Sequence, residues 1–437
     1  MCPEVRRSEP SEPVEWPLVR VDDFAEKVAM GPFGSAIKVE TFVSDGVPII
    51  SGQHLHGVRL RDTTYKFITP EHAAKLSNAN VRRGDVIFTH RGTIGQVAVI
   101  PADSEFERYV VSQSQLYLRC DLERAVPEFI AYYFRSREGQ HKLLANSSPV
   151  GVPSIARPSS YLRTIEVPLP TLDEQRAIAG VLGALDDKME QNRETAQALE
   201  QLALTVFRAW FVDFEPVRAK AAGASSFPSM PQQVFDLLPI GFVDSDIGPL
   251  PEGWQSGSLG DVIDIHDFRR VPLSRRERQL RKGAFRYYGA TGIVDYIDDF
   301  LFDGRFVLVG EDGTVINDRD GPVVQYVWGQ FWVNNHAHVL SGASGISTEY
   351  LRLLLDSINI RPFVTGAVQP KLNQRNLRSV PILTPPQQTV TAFEEIISPQ
   401  FTLLRQTYDE SRLLESMRDL LLPALISGKV RVEEIDG

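Results

Sequence analysis

An internal duplication restricts this chain to two copies of one plan. Around residue 167 it reads VPLPTLDEQRAIAGVL, and around residue 380 it reads VPILTPPQQTVTAF. This pairs Val167-Pro168 with Val380-Pro381, Thr171 with Thr384, and Gln175 with Gln388 at an offset of 213. Further on, LEQLALTVFRAWF from Leu199 matches LESMRDLLLPALI from Leu414 at an offset of 215, which implies two extra residues in the second copy. The upstream halves correspond more loosely. Trp16, Val21 and Asp23 match Trp254, Leu259 and Asp261 at 238, and RRGDVIFTHRGTIG from Arg82 resembles DGRFVLVGEDGTVI from Asp303. Each copy thus holds a strand-rich mixed part followed by a long helix.

The helices carry their own signal. Pro170 and Pro216 bracket a proline-free stretch, as helix boundaries do. Within it Ile178, Leu182, Leu185, Met189, Asn192, Ala196, Leu199, Ala203, Val206 and Trp210 alternate at spacings of four and three. That is a coiled-coil seam, with Asn192 as a polar register device; at ~1.5 Å per residue it is about 50 Å long. In the second copy Ser398-Pro399 reads as an N-cap with proline at the first helical position, splitting a short helix from a longer one. The longer piece carries Leu404, Thr407, Ser411, Leu414, Leu421 and Leu425 on one stripe and ends at Gly428. Thr407 takes the repeat position of Asn192. The simplest arrangement packs the two helices on each other; the alternative lays each on its own domain. The intervening AAGASSFPSMPQQVFDLLPIGFVDSDIGPLPEGW reads as a linker with little regular structure.

Composition excludes several classes. The 437 residues give ordinary globular proportions and material for two to three domains. No apolar run approaches the ~18 residues of a membrane span. The opening MCPEVRRSEPSEPVEW lacks the apolar stretch of a secretory signal, so a cytoplasmic protein is expected. Cys2 and Cys120 have no metal-ligand spacing. The net charge of −10 does not announce a nucleic-acid binder, but local field matters more than the total. Between Arg269 and Arg286 eight basic residues face one acid, Glu277. By itself that run reads equally as a solvated helix face.

Five segments, PLPTLDEQRAIAGVLGALDDKMEQN, FRAWFVDFEPVRAK, FVDSDIGPLPEGW, MGPFGSAIK and LLLPALISGKVRV, together resemble the specificity subunit of type I restriction-modification enzymes. The likeness covers nearly the whole chain after about residue 13, in order and in both copies. It implies an α+β fold with a pseudo-twofold internal repeat: two mixed α/β target-recognition domains separated by two long antiparallel helices forming a coiled coil. The boundaries are then 14–170 for the first domain, 171–215 for the central helix, 216–250 for the linker, 251–383 for the second domain and 384–430 for the C-terminal helices. The resemblance further implies that each domain binds half of a split site in double-stranded DNA. Two modification subunits dock on the helices and methylate adenine with S-adenosylmethionine, and restriction subunits add ATP-driven, Mg-dependent cleavage. Gln175, Leu182, Met189, Asn192, Leu199, Trp210, Leu404, Leu414 and Leu421 are the candidate interface positions. TPPQQ at the second helix start departs from the usual acid-Gln pair. A ~50 Å spacer exceeds one DNA turn of ~34 Å, so the domains would sit over successive major grooves.

Groove readout needs bidentate donors and acceptors, with cations and amides on phosphates. In the first domain Ser35 and Lys38 flank a Gly-rich loop, and His90, Arg91 and Thr93 stand at a strand end; Gln53, His54, Gln113, Ser114, Gln115 and Arg157 are further polar residues. In the second, Arg269, Arg270, Arg275, Arg276 and Arg278 lie in the basic run, followed by Tyr287, Tyr288 and Thr291. The tyrosines read equally as core aromatics. Asn334, Asn335 and His336, then Gln369, Lys371 and Asn373, form polar clusters in loop-like positions.

Parts for catalysis are missing from the sequence. There is no GxxxxGK[ST] loop and no glycine fingerprint after a strand. Thr384-Pro385-Pro386-Gln387 is similar to the motif of adenine methyltransferases but lacks its Asn and its aromatic. His54/His56 and His336/His338 have no third metal ligand nearby in sequence. Neither a catalytic residue nor a metal or cofactor site is expected in this chain. A structural adaptor that binds only protein, and an enzyme with a cryptic metal site, are the rival readings.

Overall fold

A computed structural model describes residues 16–32, 36–61, 64–148, 151–245, 248–366 and 368–432. Contacts divide the chain into two units, 1–190 with 411–437, and 191–410. Among the described residues no helix is long and apolar enough to cross a membrane.

Two helices of 40 residues, Leu172–Phe211 and Gln387–Ile426, start and end at a single offset of 215. The strands that feed them agree. Leu18–Arg20 pairs antiparallel with Glu166–Pro168, and Gln255–Ser258 with Pro381–Thr384, so that Val19 faces Val167 and Gly257 faces Ile382. Val167 therefore corresponds to Ile382, and Gln175 to Val390. The sequence pairing at 213 matched prolines across a two-residue slip, and backbone register overrules it.

Both helix boundaries differ from expectation. The first helix stops at Phe211, before Glu215: the N–H groups of Val212 and Asp213 both turn back to the Arg208 carbonyl, and Phe214 is left-handed at φ 53°. Pro216 lies in the first turn of a new helix, Glu215–Ala221. The second helix runs unbroken through Ser398-Pro399. Proline in a helix interior costs ~3 kcal/mol. Here Phe393, Ile397, Phe401 and Leu404 are all buried around it, and their packing offsets that cost. Gly428 caps the end at φ 74°, its N–H on the Leu425 carbonyl.

Each unit contains part of both helices. In the first, Ile178 and Leu182 share a core with Leu425 and Ile426, Asp186 accepts from Arg418 at 3.0 Å, and Glu174 from Arg431 at 2.8 Å. In the second, Asn192 donates to Glu410 at 2.8 Å and Trp210 packs on Phe393. Numbers rise on one helix as they fall on the other, so the pairing is antiparallel in both units.

In the first unit, Val86–Thr89 lies in a four-stranded antiparallel sheet with Ala25–Met30, Gln115–Cys120 and Val97–Val99. Its run VIFT is apolar without alternation because both faces are covered. Val86 and Phe88 meet the helix Pro127–Arg135 and the long helices, whereas Ile87 meets a second four-stranded sheet carrying Ile49 and Tyr109. The second unit is built on one six-stranded sheet, in the order Ile263–Ile265, Ala337–Gly342, Phe302–Gly310, Val324–Val333, Lys282–Tyr288, Ile293–Ile297. Val307 and Val309 face the helix Thr348–Ser357 and the long helices, and Phe306 and Leu308 face outward onto a smaller cluster.

The expected linker is not without structure. It holds the short helices Glu215–Ala221 and Gln232–Leu237, and Val217, Met230, Phe235 and Leu238 are buried in the core of the second unit. Its Pro and Gly content hid these spaced apolar residues.

Candidate nucleic-acid interface

Both units repeat one construction at the end of a central strand. After Val86–Thr89 the chain turns at His90-Arg91-Gly92; after Phe302–Gly310 it turns at Glu311-Asp312-Gly313, at an offset of 221. Gly92 and Gly313 have φ of 86° and 77°, a left-handed backbone that suits glycine. The amides of His90 and Glu311 donate to the carbonyls of Ser114 and His336, at 2.9 and 2.8 Å. Their carbonyls accept from Ile155 and Leu372, both at 2.9 Å. Gly92 donates to Pro153 and Gly313 to Pro370, and bridges join Arg91 with Ser154 and Asp312 with Lys371. Three loops distant in sequence thus form one rim in each unit. Loops fixed on a rigid sheet are where recognition residues sit.

The two rims are held by different chemistry. Under the first, Thr89 donates to Gln96 at 3.0 Å, Gln96 to the Gly52 carbonyl at 3.0 Å, and Gln115 to Thr89 at 3.3 Å, while Ser112 bonds Gln115. All are uncharged. His90 is buried with its Nε2 lacking a hydrogen-bond partner, and burial pushes its pKa down. Under the second rim Arg270 bonds Glu311 at 2.8 Å and the Ala337 carbonyl at 2.7 Å, with Asp267 at 3.3 Å. Asp267 also accepts from the Val339 amide and from Gln374. Burial raises the Asp267 pKa; bonds from His338 and Val339 and the nearby Arg270 outweigh it and hold the carboxyl below its ordinary value.

The candidate residues divide accordingly. Ser35 lies outside the described residues. Lys38 is exposed, with no described bond to the rim; Arg91 and Thr93 are exposed on the first rim, and His90 is beneath it. Arg275 and Arg276 are exposed on the short helix Arg275–Leu280, and Thr291, Asn335, Gln369 and Lys371 are exposed as well. Others have partners within the chain. Tyr288 is a core aromatic against Phe331. Arg270 is consumed in the ionic cluster, and Arg278 pairs with Asp295 and stacks on Tyr287. Arg269 lies over the Phe302 ring and donates to the Leu301 carbonyl. Asn373 caps the helix Gln374–Arg378, and Asn334 accepts from the His336 amide in a turn. Sequence reading flagged the loop around Pro370 through Gln369 and Lys371 but missed its counterpart at Pro153-Ser154, 217 residues earlier.

The helix positions expected as subunit contacts divide by burial. Gln175, Leu182, Asn192, Trp210 and Leu404 are buried inside the chain, and Met189, Leu199, Leu414 and Leu421 are half-buried. The apolar seam is used up by pairing within the chain. Among the described residues Leu202, Leu403, Tyr408, Leu413, Met417 and Leu420 are the exposed large apolar side chains on these helices.

Comparison with known proteins agrees with the repeat. The family model described as the type I restriction modification DNA specificity domain matches residues 13–201 and again 251–409. The chain belongs to that family. It is 23% identical to the type I restriction enzyme MjaIX specificity subunit of Methanocaldococcus jannaschii, over 97% of this chain and 95% of that one. It is 22% identical to the HindI specificity subunit of Haemophilus influenzae, over 80% and 87%. A crystal structure of the S subunit of the M. genitalium type I restriction-modification system shares the fold, with a TM-score of 0.58 at 15% identity, covering 96% and 98% of the two chains. In this specificity chain each of the two family matches contains all three loops of one rim.

Proposed function

We propose that this specificity subunit reads a bipartite site in double-stranded DNA, one half with each rim, and scaffolds the other subunits of a type I restriction-modification complex. The observation that carries the reading is one three-loop rim repeated on two differently built sheets. Equivalent positions differ in chemistry: His90 against Glu311, Arg91 against Asp312, Ser154 against Lys371. Two rims so furnished suit two different base sequences. Arg91, Arg275, Arg276 and Lys371 are the exposed cations for phosphates or guanines, with Thr93, Thr291, Asn335 and Gln369 beside them.

The chain performs no catalysis of its own. Adenine methylation with S-adenosylmethionine belongs to two modification subunits, and ATP- and Mg-dependent translocation and cleavage to restriction subunits, all in the cytoplasm. The modification subunits meet the outward stripe Leu413, Met417 and Leu420, which helical spacing places on one face.

Exchanging residues 260–380 for those of another family member, followed by genome-wide mapping of methylated adenines, tests this reading. One half of the methylated motif should change while the other stays. An unchanged motif would remove the second rim from recognition.

A further inference from the structure

The ionic cluster beneath the second rim contains an arrangement that the first rim lacks. His338 is fully buried. Its Nδ1 is 2.6 Å from Asp267 Oδ2, and its Nε2 is 2.7 Å from the Leu372 carbonyl oxygen. Both partners are acceptors, and a neutral imidazole has a single N–H. Satisfying both contacts takes a proton on each nitrogen, that is, an imidazolium. The surroundings balance that charge. Asp267 and Arg270 face it from the turn 267–270, Glu311 from the strand end at 3.7 Å, and Gln374 shares Asp267 Oδ2 at 2.6 Å. Lys371, half-exposed, stands 3.8 Å from Glu311, and the exposed His336 pairs separately with Asp312 at 2.6 Å. Asp267, Glu311 and His338 bring ligand atoms within 4.8 Å of one another, but Arg270 already spans both carboxylates as their cation.

We propose that His338 is a positioning residue whose protonation holds the second rim together, so that recognition of one half-site, and not the other, depends on pH. Loss of one proton turns a lone pair toward an acceptor at hydrogen-bond distance, which is repulsive. The repulsion acts on Leu372, whose backbone carries Lys371 and the loop from Gln369 to Asn373, or on Asp267, which anchors Arg270. Among the described residues the first rim shows no such pair of contacts: its links are hydroxyl and amide bonds, and the Nε2 of the buried His90 has no hydrogen-bond partner. The first half-site is therefore an internal control. This inference rests on the reading that both rims face DNA.

The test uses the full chain assembled with its modification subunits. The half-site read by the second domain is first assigned by exchanging residues 260–380; failure of that assignment counts against the underlying reading and not against His338 alone. Binding is then measured from about pH 6 to about pH 9. The probes are the intact site and two duplexes with one half-site scrambled. The contribution of the second half-site should fall roughly tenfold as pH rises, and that of the first by less than about twofold. His338→Asn, which keeps a donor toward Asp267 but does not titrate, should flatten the dependence. Equal pH profiles for both half-sites in the wild type, or an undiminished dependence in folded H338N, would overturn the proposal. If H338N does not fold, the wild-type profiles decide.

Discussion

Gln175 and Val390 stand at the same position of the two long helices, 215 residues apart, and both are buried. Gln175 accepts from the Val126 amide at 2.8 Å and donates to the carbonyls of Arg124 and Pro170. Val126 is the N-cap of the helix Pro127–Arg135. In the other copy the matching N-cap, Ser347, donates instead to Glu394 at 2.6 Å, one turn further along the second helix. The same need of a helix N-terminus is met from two places, which frees position 390 to be apolar.

Replacing Gln175 by Val, the residue its repeat partner tolerates, should therefore destabilise the first unit. Three backbone groups, one buried and two partly buried, lose their partner, at up to ~1–3 kcal/mol each before relaxation. Hydrogen exchange of the amides in Pro127–Arg135 should rise at least tenfold, with Thr348–Ser357 unaffected. Equal protection in Q175V would show that water or rearrangement replaces the side chain.

Arg91→Ala should weaken binding at one half-site only. Loss of a groove or phosphate contact from an exposed arginine amounts to ~1–3 kcal/mol, about tenfold or more in affinity. Fluorescence anisotropy of the assembled complex, on duplexes with each half-site scrambled in turn, measures it. Unchanged affinity would take Arg91 out of the interface.

Burial lowers the pKa of His90 in the folded chain, while the unfolded chain takes up its proton at the ordinary value near ~6.5. The unfolded state then binds more protons between those two values, so stability of the first unit falls as pH drops below ~6.5 and levels off below the folded pKa. His90→Leu should reduce this slope, read as the difference in unfolding midpoint between about pH 5 and about pH 7.5. A slope as steep in H90L would assign it to other groups.

Inserting one heptad into each long helix, after Glu190 and after Glu410, leaves both units intact because these are their boundaries. Seven residues add ~10 Å along a helix, about three base pairs of DNA. The distance between the two methylated adenines should lengthen by that amount. A complex that methylates with the original spacing would show that the helices do not set it.

Much of this architecture was legible from residue order. The duplication, the heptad seam and the Asn192 and Thr407 positions follow from periodicity, because a helix exposes its pattern every three to four residues. The equivalence of VIFTHRGT and FVLVGEDGT was visible for a similar reason: a covered strand and a left-handed glycine leave a strong local signature.

Tertiary contact decided the rest. Whether Pro399 breaks a helix depends on the packing of Phe393, Ile397 and Phe401 around it, which outweighs a local preference. Whether an arginine is available to DNA depends on neighbours that sequence places far away: Arg270 meets Glu311 and Arg278 meets Asp295, whereas Arg275 and Arg276 remain exposed. Side chains of identical type divide between core and surface according to long-range partners, and periodicity carries no record of those.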